Sequence, residues 1–528
     1  MSRLSRLLTL LSSAALALGS CQSPPPSPTE ASASSATASA AQAGNFHPIF
    51  AAAPCPDDVT SQVVTSTSCG YLTVLEDRSK PSGRTIQVFV VRFDPPGGTT
   101  TPDPVITLGH LASKDEYGGM SAGGQRTHRV LYLIDPRGIG HSTPVLDCPE
   151  VSAAGPQLVG FRLGDPARRA ILLDAVAACH DRIVGQGIEL GAYDLAANAS
   201  DLEDLRNTLG IASWNLMTNG DASRLAFEVA HRFPNGIRSL IIDSPSLPRP
   251  DFLTIGPTAL DLSISRLVAA CAAQPDCDRA FPDLSAMIRS AVTRLDSTPL
   301  TFDVTGTVEA IQLGHPIRVV VDGAALLRWI RWSLGSGGGS TSATVPATVR
   351  SVLDGKLKAS DGVVVSLASD VGDCLGILTS CELPNLGALY SIVCRDLADQ
   401  IDQSRLDSSI DGRAAYRDVF APSPLLSSCD AWRVTPSGPA PDGPITGGAP
   451  TLVMRGALDP FSAPSSEVIK AVGGVESAYV LDVANQSYNV LGFNECPRAI
   501  RNAWIDAPNA PPADTSCLAG IPQIEFAH

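Results

Sequence analysis

Lysine is nearly absent from this chain: five occur in 528 residues, at 80, 114, 356, 358 and 470. Asp+Glu is 53 against Lys+Arg 38, a formal net charge of −15, and no block of basic residues offsets it. A surface of that sign repels phosphate backbones, so nucleic acid is excluded as a partner. Beyond the first twenty residues no stretch reads as long and apolar enough to be a transmembrane helix. There is no Cys-x-x-Cys pair and no histidine at ligand spacing, so no metal site is expected and no cofactor is implied. Internal repeats are missing too. Histidine is sparse: eight, at 47, 110, 128, 141, 180, 231, 315 and 528. What is present is the composition of a globular protein, 44% hydrophobic and 17% charged, too apolar for a disordered chain.

The first twenty residues read as an address. Arg3 and Arg6 make a positive start, and Leu7 to Leu18 is an apolar run too short to span a bilayer as a mature helix. Leu18-Gly19-Ser20-Cys21 resembles a bacterial lipobox. The resemblance implies thioether lipidation of Cys21, cleavage before it, and an exported protein anchored by lipid at the cell envelope. The other reading is an ordinary secretory signal with a chance cysteine. Residues 21–45 are rich in Pro, Ser and Ala and read as a flexible tether.

Setting Cys21 aside leaves twelve cysteines, an even number in a chain with an export signal. That predicts a disulfide framework. Proximity suggests Cys55/Cys69, Cys271/Cys277 and Cys374/Cys381, with Cys148/Cys179, Cys394/Cys429 and Cys496/Cys517 completing the set. Sequence leaves the connectivity open.

Apolar β-rich runs at Thr85–Val91, Pro104–Leu108, Arg129–Ile134, Trp214–Met217, Ile237–Asp243, Thr451–Gly456 and Ala478–Leu481 read as strands. Pro81-Ser82-Gly83 reads as a hairpin turn. Leu195, Leu202, Leu205 and Leu209 repeat at helical spacing, and Ser223 to His231 reads as a second helix. Strands alternating with helices predict a doubly wound, mostly parallel α/β sheet. Residues 251–435 are mostly helical in pattern and read as a cap inserted between two parts of the core, 46–250 and 436–528. The pair Trp329/Trp332 is expected in the core of that cap.

Four blocks in order carry a family resemblance. They are Cys69-Gly70 with Glu76-Asp77-Arg78; DPRGIGHSTPVLDCPE at Asp135 to Glu150; Asp201 through Leu216 with Arg224-Leu225-Ala226; and Gly456 with Leu458-Asp459-Pro460. Together they resemble the α/β-hydrolase fold, and more narrowly the secreted tripeptidyl aminopeptidases related to prolyl aminopeptidase. The resemblance implies a nucleophile on a sharp strand-to-helix turn, then an acid, then a histidine. In the second block, Asp135 and Arg137 are expected to fix a loop by hydrogen bonds.

The catalytic positions depart from that pattern. The family's Gly-x-Ser-x-Gly elbow aligns with Thr218-Asn219-Gly220-Asp221-Ala222, which puts Gly220 at the nucleophile. Asp459 falls at the triad acid. The family's Gly-His aligns with Ser487-Tyr488, which puts Tyr488 at the base. A plain count agrees, since only His528, the terminal residue, follows Asp459. The oxyanion run Gly-Gly-Pro-Gly aligns with Gly109-His110-Leu111-Ala112. Asp221 as a nucleophile, or His110 as an acid or base, would need a slipped register or a new geometry. Asp221 and Ser223 otherwise read as residues of a helix start.

Losing one triad member costs about 10⁴–10⁶ in turnover, and a second loss adds little. The expected function is therefore a non-catalytic pseudo-hydrolase that binds a peptide or protein ligand. The alternative is an active peptidase or esterase working through unrecognised residues.

Overall fold

The computed structural model describes residues 46–60, 66–95, 98, 101–108, 127–247, 251–336, 341–369, 385–420, 424–438 and 446–527. Eleven named strands occur among them: β1 (Ile49–Ala53), β2 (Thr67–Leu75), β3 (Thr85–Phe93), β4 (Val105–Leu108), β5 (Leu131–Ile134), β6 (Trp214–Asn219), β7 (Ile237–Asp243), β8 (Leu300–Val304), β9 (Ile317–Val321), β10 (Thr451–Gly456) and β11 (Ala478–Val483). Nine form one sheet in the order β1-β2-β3-β5-β4-β6-β7-β10-β11. The first three, and the junction of β3 with β5, are antiparallel; from β5 to β11 every pairing is parallel. This order, with its crossovers on both faces, is the α/β-hydrolase fold.

The central strands are apolar throughout because both faces are covered. All six residues of β6 and all six of β10 are buried. Alternate residues serve opposite layers. Leu216, Leu240 and Ile242 pack with Leu202, Leu205, Leu225 and Val229 from α3 (Leu195–Thr208) and α4 (Ser223–Arg232). Met217, Ile241 and Met454 turn the other way, toward Ile500 and Trp504 of the helix Glu495–Trp504. Asp194 caps α3 by accepting the Ala197 N–H at 2.7 Å.

Two further helices, α1 (Pro149–Leu158) and α2 (Pro166–Gly185), precede α3. They pack with Leu386, Tyr390, Val393 and Trp432, which come from the far end of the inserted stretch. The rest of that stretch packs in a further core that also takes in Leu458, Ile524 and Phe526. It is built from α5 (Asp251–Ala272), α6 (Gly323–Gly335), neighbouring helices and the antiparallel pair β8–β9. Trp329 is buried there, with Trp332 packed against it.

One expectation needs correction. Thr254–Ala272 within α5 does have the length and mean hydropathy, 1.2, of a membrane span. Asp261 and Arg266 interrupt its apolar run. Leu260 and Leu267 of this helix are fully buried in the cap core.

Five of the six expected disulfides are formed: Cys55–Cys69, Cys148–Cys179, Cys271–Cys277, Cys394–Cys429 and Cys496–Cys517. Cys374 and Cys381 lie outside the described residues, as does Cys21.

Candidate functional site

The C-terminal ends of β6, β7 and β10 bring the candidate residues together. β6 ends at Asn219, a short 3₁₀ turn covers Gly220–Ala222, and α4 begins at Ser223. The chain turns through Gly220 with φ at +56°, a conformation that favours glycine. The Ser223 hydroxyl is fully buried, 2.6 Å from the Gly220 carbonyl and 2.7 Å from that of Ser246. It also accepts the Ser246 N–H at 2.8 Å. Ser223 is thus committed to holding the turn. Asp221 lies in the 3₁₀ turn, where its charge partly offsets the burial that brings the Arg224 guanidinium down to about 10.

Tyr488 comes to the same place from the loop after β11. A Cβ built on Gly220 would overlap the Tyr488 hydroxyl and lie 2.9 Å from its ring carbon Cζ. The loop is pinned on two sides. Asn489 N–H donates to Ser244 Oγ at 3.0 Å, and the N–H groups of Val490 and Leu491 donate to the Asp243 carboxylate at 3.2 and 2.8 Å. On the other side, a Cβ at Gly456 would lie 2.7 Å from the Gln486 carbonyl carbon, so only glycine admits this approach.

Asp459 follows β10 and is fully buried. Its Oδ1 accepts the Phe461 N–H at 2.8 Å, and its Oδ2 accepts the Ser462 hydroxyl at 2.6 Å. Burial raises its pKa, opposed by the Ser462 hydrogen bond and by Arg455. Of the three residues assigned to the oxyanion region, Asp221 lies in the 3₁₀ turn Gly220–Ala222, while Gly109 and His110 lie outside the described residues, and so does His528.

Asp243, at the end of β7, went unnoticed as a site residue. It closes an apolar run that was read only as a strand. Burial pushes its carboxyl up to about 7, with a further rise from the neighbouring Asp459 charge and opposition from the Leu491, Ser244 and Val490 hydrogen bonds. A folded pKa above the unfolded one means stability that is full below the unfolded value and is lost as pH rises through about 7. The thermal midpoint is therefore expected to fall between about pH 4 and about pH 7. Asp243→Asn should flatten that slope; an unchanged slope would assign the pH dependence elsewhere.

The loop of the second sequence block is fixed as expected. Asp135 Oδ2 accepts the His141 N–H at 2.7 Å. Arg137, with no side-chain exposure, donates to both Asp201 oxygens at 2.8 and 2.7 Å and to the carbonyls of Glu76 and Ala192. Among the described residues no group of three or more His, Cys, Asp or Glu is arranged to hold a metal ion.

No family model matches the chain. A tripeptidyl aminopeptidase of Streptomyces coelicolor is 27% identical over 207 residues, covering 35% of this chain and 36% of that protein. One from Streptomyces lividans is 27% identical over 197 residues, with the same coverage of each. The chain thus matches only about a third of the length of these relatives. Among solved structures, proline iminopeptidase of Mycobacterium smegmatis superposes with a TM-score of 0.35 at 14% identity, covering 80% of this chain and 96% of that one. A probable hydrolytic enzyme of Pseudomonas aeruginosa gives a TM-score of 0.35 at 10% identity, covering 86% and 98%. By its strand order the chain has the α/β-hydrolase fold, and over part of its length it is similar to tripeptidyl aminopeptidases.

Proposed function

We propose that this chain is a pseudo-hydrolase: an α/β-hydrolase-fold protein that has given up hydrolysis. Gly220 takes the nucleophile position and Tyr488 the base position, leaving Asp459 as the retained triad residue. The observation that carries this reading is the contact between the first two. The Tyr488 hydroxyl stands where a side chain at 220 would begin, so the seat of the nucleophile is filled from the far side of the site. A glycine supplies no nucleophile, and a neutral phenol is a poor base at neutral pH. Recognition of a peptide or protein ligand, on this reading, takes place away from the filled end.

The test is turnover of aminopeptidase, endopeptidase and short-chain ester substrates by the purified chain, beside Gly220→Ser/Tyr488→His. Silence from the native chain supports the proposal, and activity in the double variant would add that the remaining site still binds substrate. Native turnover that co-purifies with the chain and survives Asp221→Ala would overturn it. The part-length similarity to tripeptidyl aminopeptidases would then be the better guide.

We also place the protein at the bacterial cell envelope, exported and held to the membrane by lipid on Cys21. Metabolic labelling with a radioactive fatty acid should mark the wild type and not Cys21→Ser. Equal labelling of both would remove the anchor.

A further inference from the structure

We propose that the loop after β10 is a latch that holds the cap shut over the sheet, with Phe461 as its pin and Asp459 as the residue that shapes it. This inference goes beyond the loss of hydrolysis and stands whether or not the chain turns over a substrate.

The loop is folded by its own aspartate. Asp459 Oδ1 accepts the N–H of Phe461 at 2.8 Å and that of Ser462 at 3.4 Å, and Oδ2 takes the Ser462 hydroxyl at 2.6 Å. An aspartate bonded to the backbone two residues on is a turn-forming arrangement. The loop's far end is tied to the core, where Ala463 N–H donates to the Pro245 carbonyl at 2.9 Å.

The turn sends Phe461 into the cap. A Cβ at Gly335, the last residue of α6, would overlap the Phe461 ring, and ring carbon Cζ would be 3.1 Å away. About one helical turn earlier, the Arg331 guanidinium lies over the Phe461 ring, 4.5 Å from its centroid. The same guanidinium lies 5.3 Å from the centroid of Phe420. Phe420 in turn rests against Gly256 of α5, where a Cβ would come within 2.8 Å of its ring. Core loop, arginine, second aromatic ring and the long cap helix therefore follow one another in a continuous stack. Two glycines supply the room for its two rings. Arginine over an aromatic face is attractive, more so when both are withdrawn from water, and Arg331 is only 7% exposed.

Little space remains beside the pin. Leu247, Ile255, Ala259, Pro460 and Ala463 help line a cavity of about 10 Å³ between the loop and α5, room for about one water molecule. On this proposal Phe461, while it stays in place, keeps the cap from lifting here.

Hydrogen exchange on the full chain reads this directly. Phe461→Ala should speed amide exchange in residues 254–272 and 323–335 by about tenfold, the scale of one lost cation–π contact between the buried Arg331 and the partly buried Phe461 ring. Phe461→Leu keeps most of the apolar volume and serves if the alanine variant does not fold; it too should speed exchange there. Asp459→Ala should reproduce the effect. Asp459→Asn, which keeps an oxygen for both N–H groups, should leave the cap as it was. Ile500→Ala loosens the layer on the other face of the sheet and is the control for general destabilisation. Cap exchange that ignores Phe461, or that rises equally in Ile500→Ala, would overturn the latch.

Discussion

Gly220→Ser alone is expected to lose about 2–5 kcal/mol of stability. Two costs add. A side chain at a left-handed φ costs about 1–2 kcal/mol, and forcing atoms into a filled site costs about 1–3 kcal/mol more. The first follows from φ at +56° and the second from the overlap with the Tyr488 hydroxyl. Removing the ring separates them. In Tyr488→Gly/Gly220→Ser the overlap is gone, and only the backbone cost relative to Tyr488→Gly should remain. The measurement is a double-mutant cycle in chemical denaturation, where contacting residues show coupling and distant ones do not. A coupling near zero would mean that the two residues do not meet. A real coupling has a further meaning: serine cannot return at 220 without a simultaneous change at 488. That is why the activity test pairs the two substitutions.

Arg137→Met should be at least as damaging, at about 3–5 kcal/mol, the usual cost of breaking a buried charge pair. Asp201 would lose both oxygens' bonds to Arg137, keeping Arg78 at 2.5 Å. The carbonyls of Glu76 and Ala192 would lose their donors at the same time. These groups join the end of β2, the loop after β5 and α3, which also share the Arg78 ion pairs to Asp201 and Asp204. The check is the yield of folded, disulfide-bonded chain. Arg137→Met/Asp201→Leu, which removes both charges, should recover part of the loss. No recovery would mean that the carbonyl bonds matter more than the charge pair.

The parallel half of the sheet was legible because fully buried strands are unbroken apolar runs. Ile237–Asp243 and Thr451–Gly456 have the same limits in sequence and structure. β1 was not legible. Its five residues are Ile, Phe and three alanines, mostly exposed or half-buried, and its pairing with β2 comes from contact across the chain. The β8–β9 pair was not legible either: β8 is five residues long, and of its inward Leu300, Phe302 and Val304 only the last is fully buried. The inserted stretch looked like a single helical block. Its last part instead packs on α1 and α2, a partnership of residues some two hundred positions apart that no local period encodes. At the site, the family resemblance pointed to Gly220, Asp459 and Tyr488 but not to what surrounds them. Asp243 looked like a strand end until the loop at 490–491 closed on it. Phe461 and Arg331 are unremarkable separately and meet only when the cap folds back.

The Cys55–Cys69 bridge has a consequence for load. Chain entering at residue 46 first forms β1, five residues held to β2 by backbone hydrogen bonds and by the Phe50 ring. Directly after β1, the bridge fastens Cys55 to Cys69 within β2 itself. A pull on the N-terminal side would strip at most that outer strand. It would then arrive at a covalent bond seated on the sheet, and the seven parallel and antiparallel strands beyond β2 would feel it only as a tug on one rigid plate.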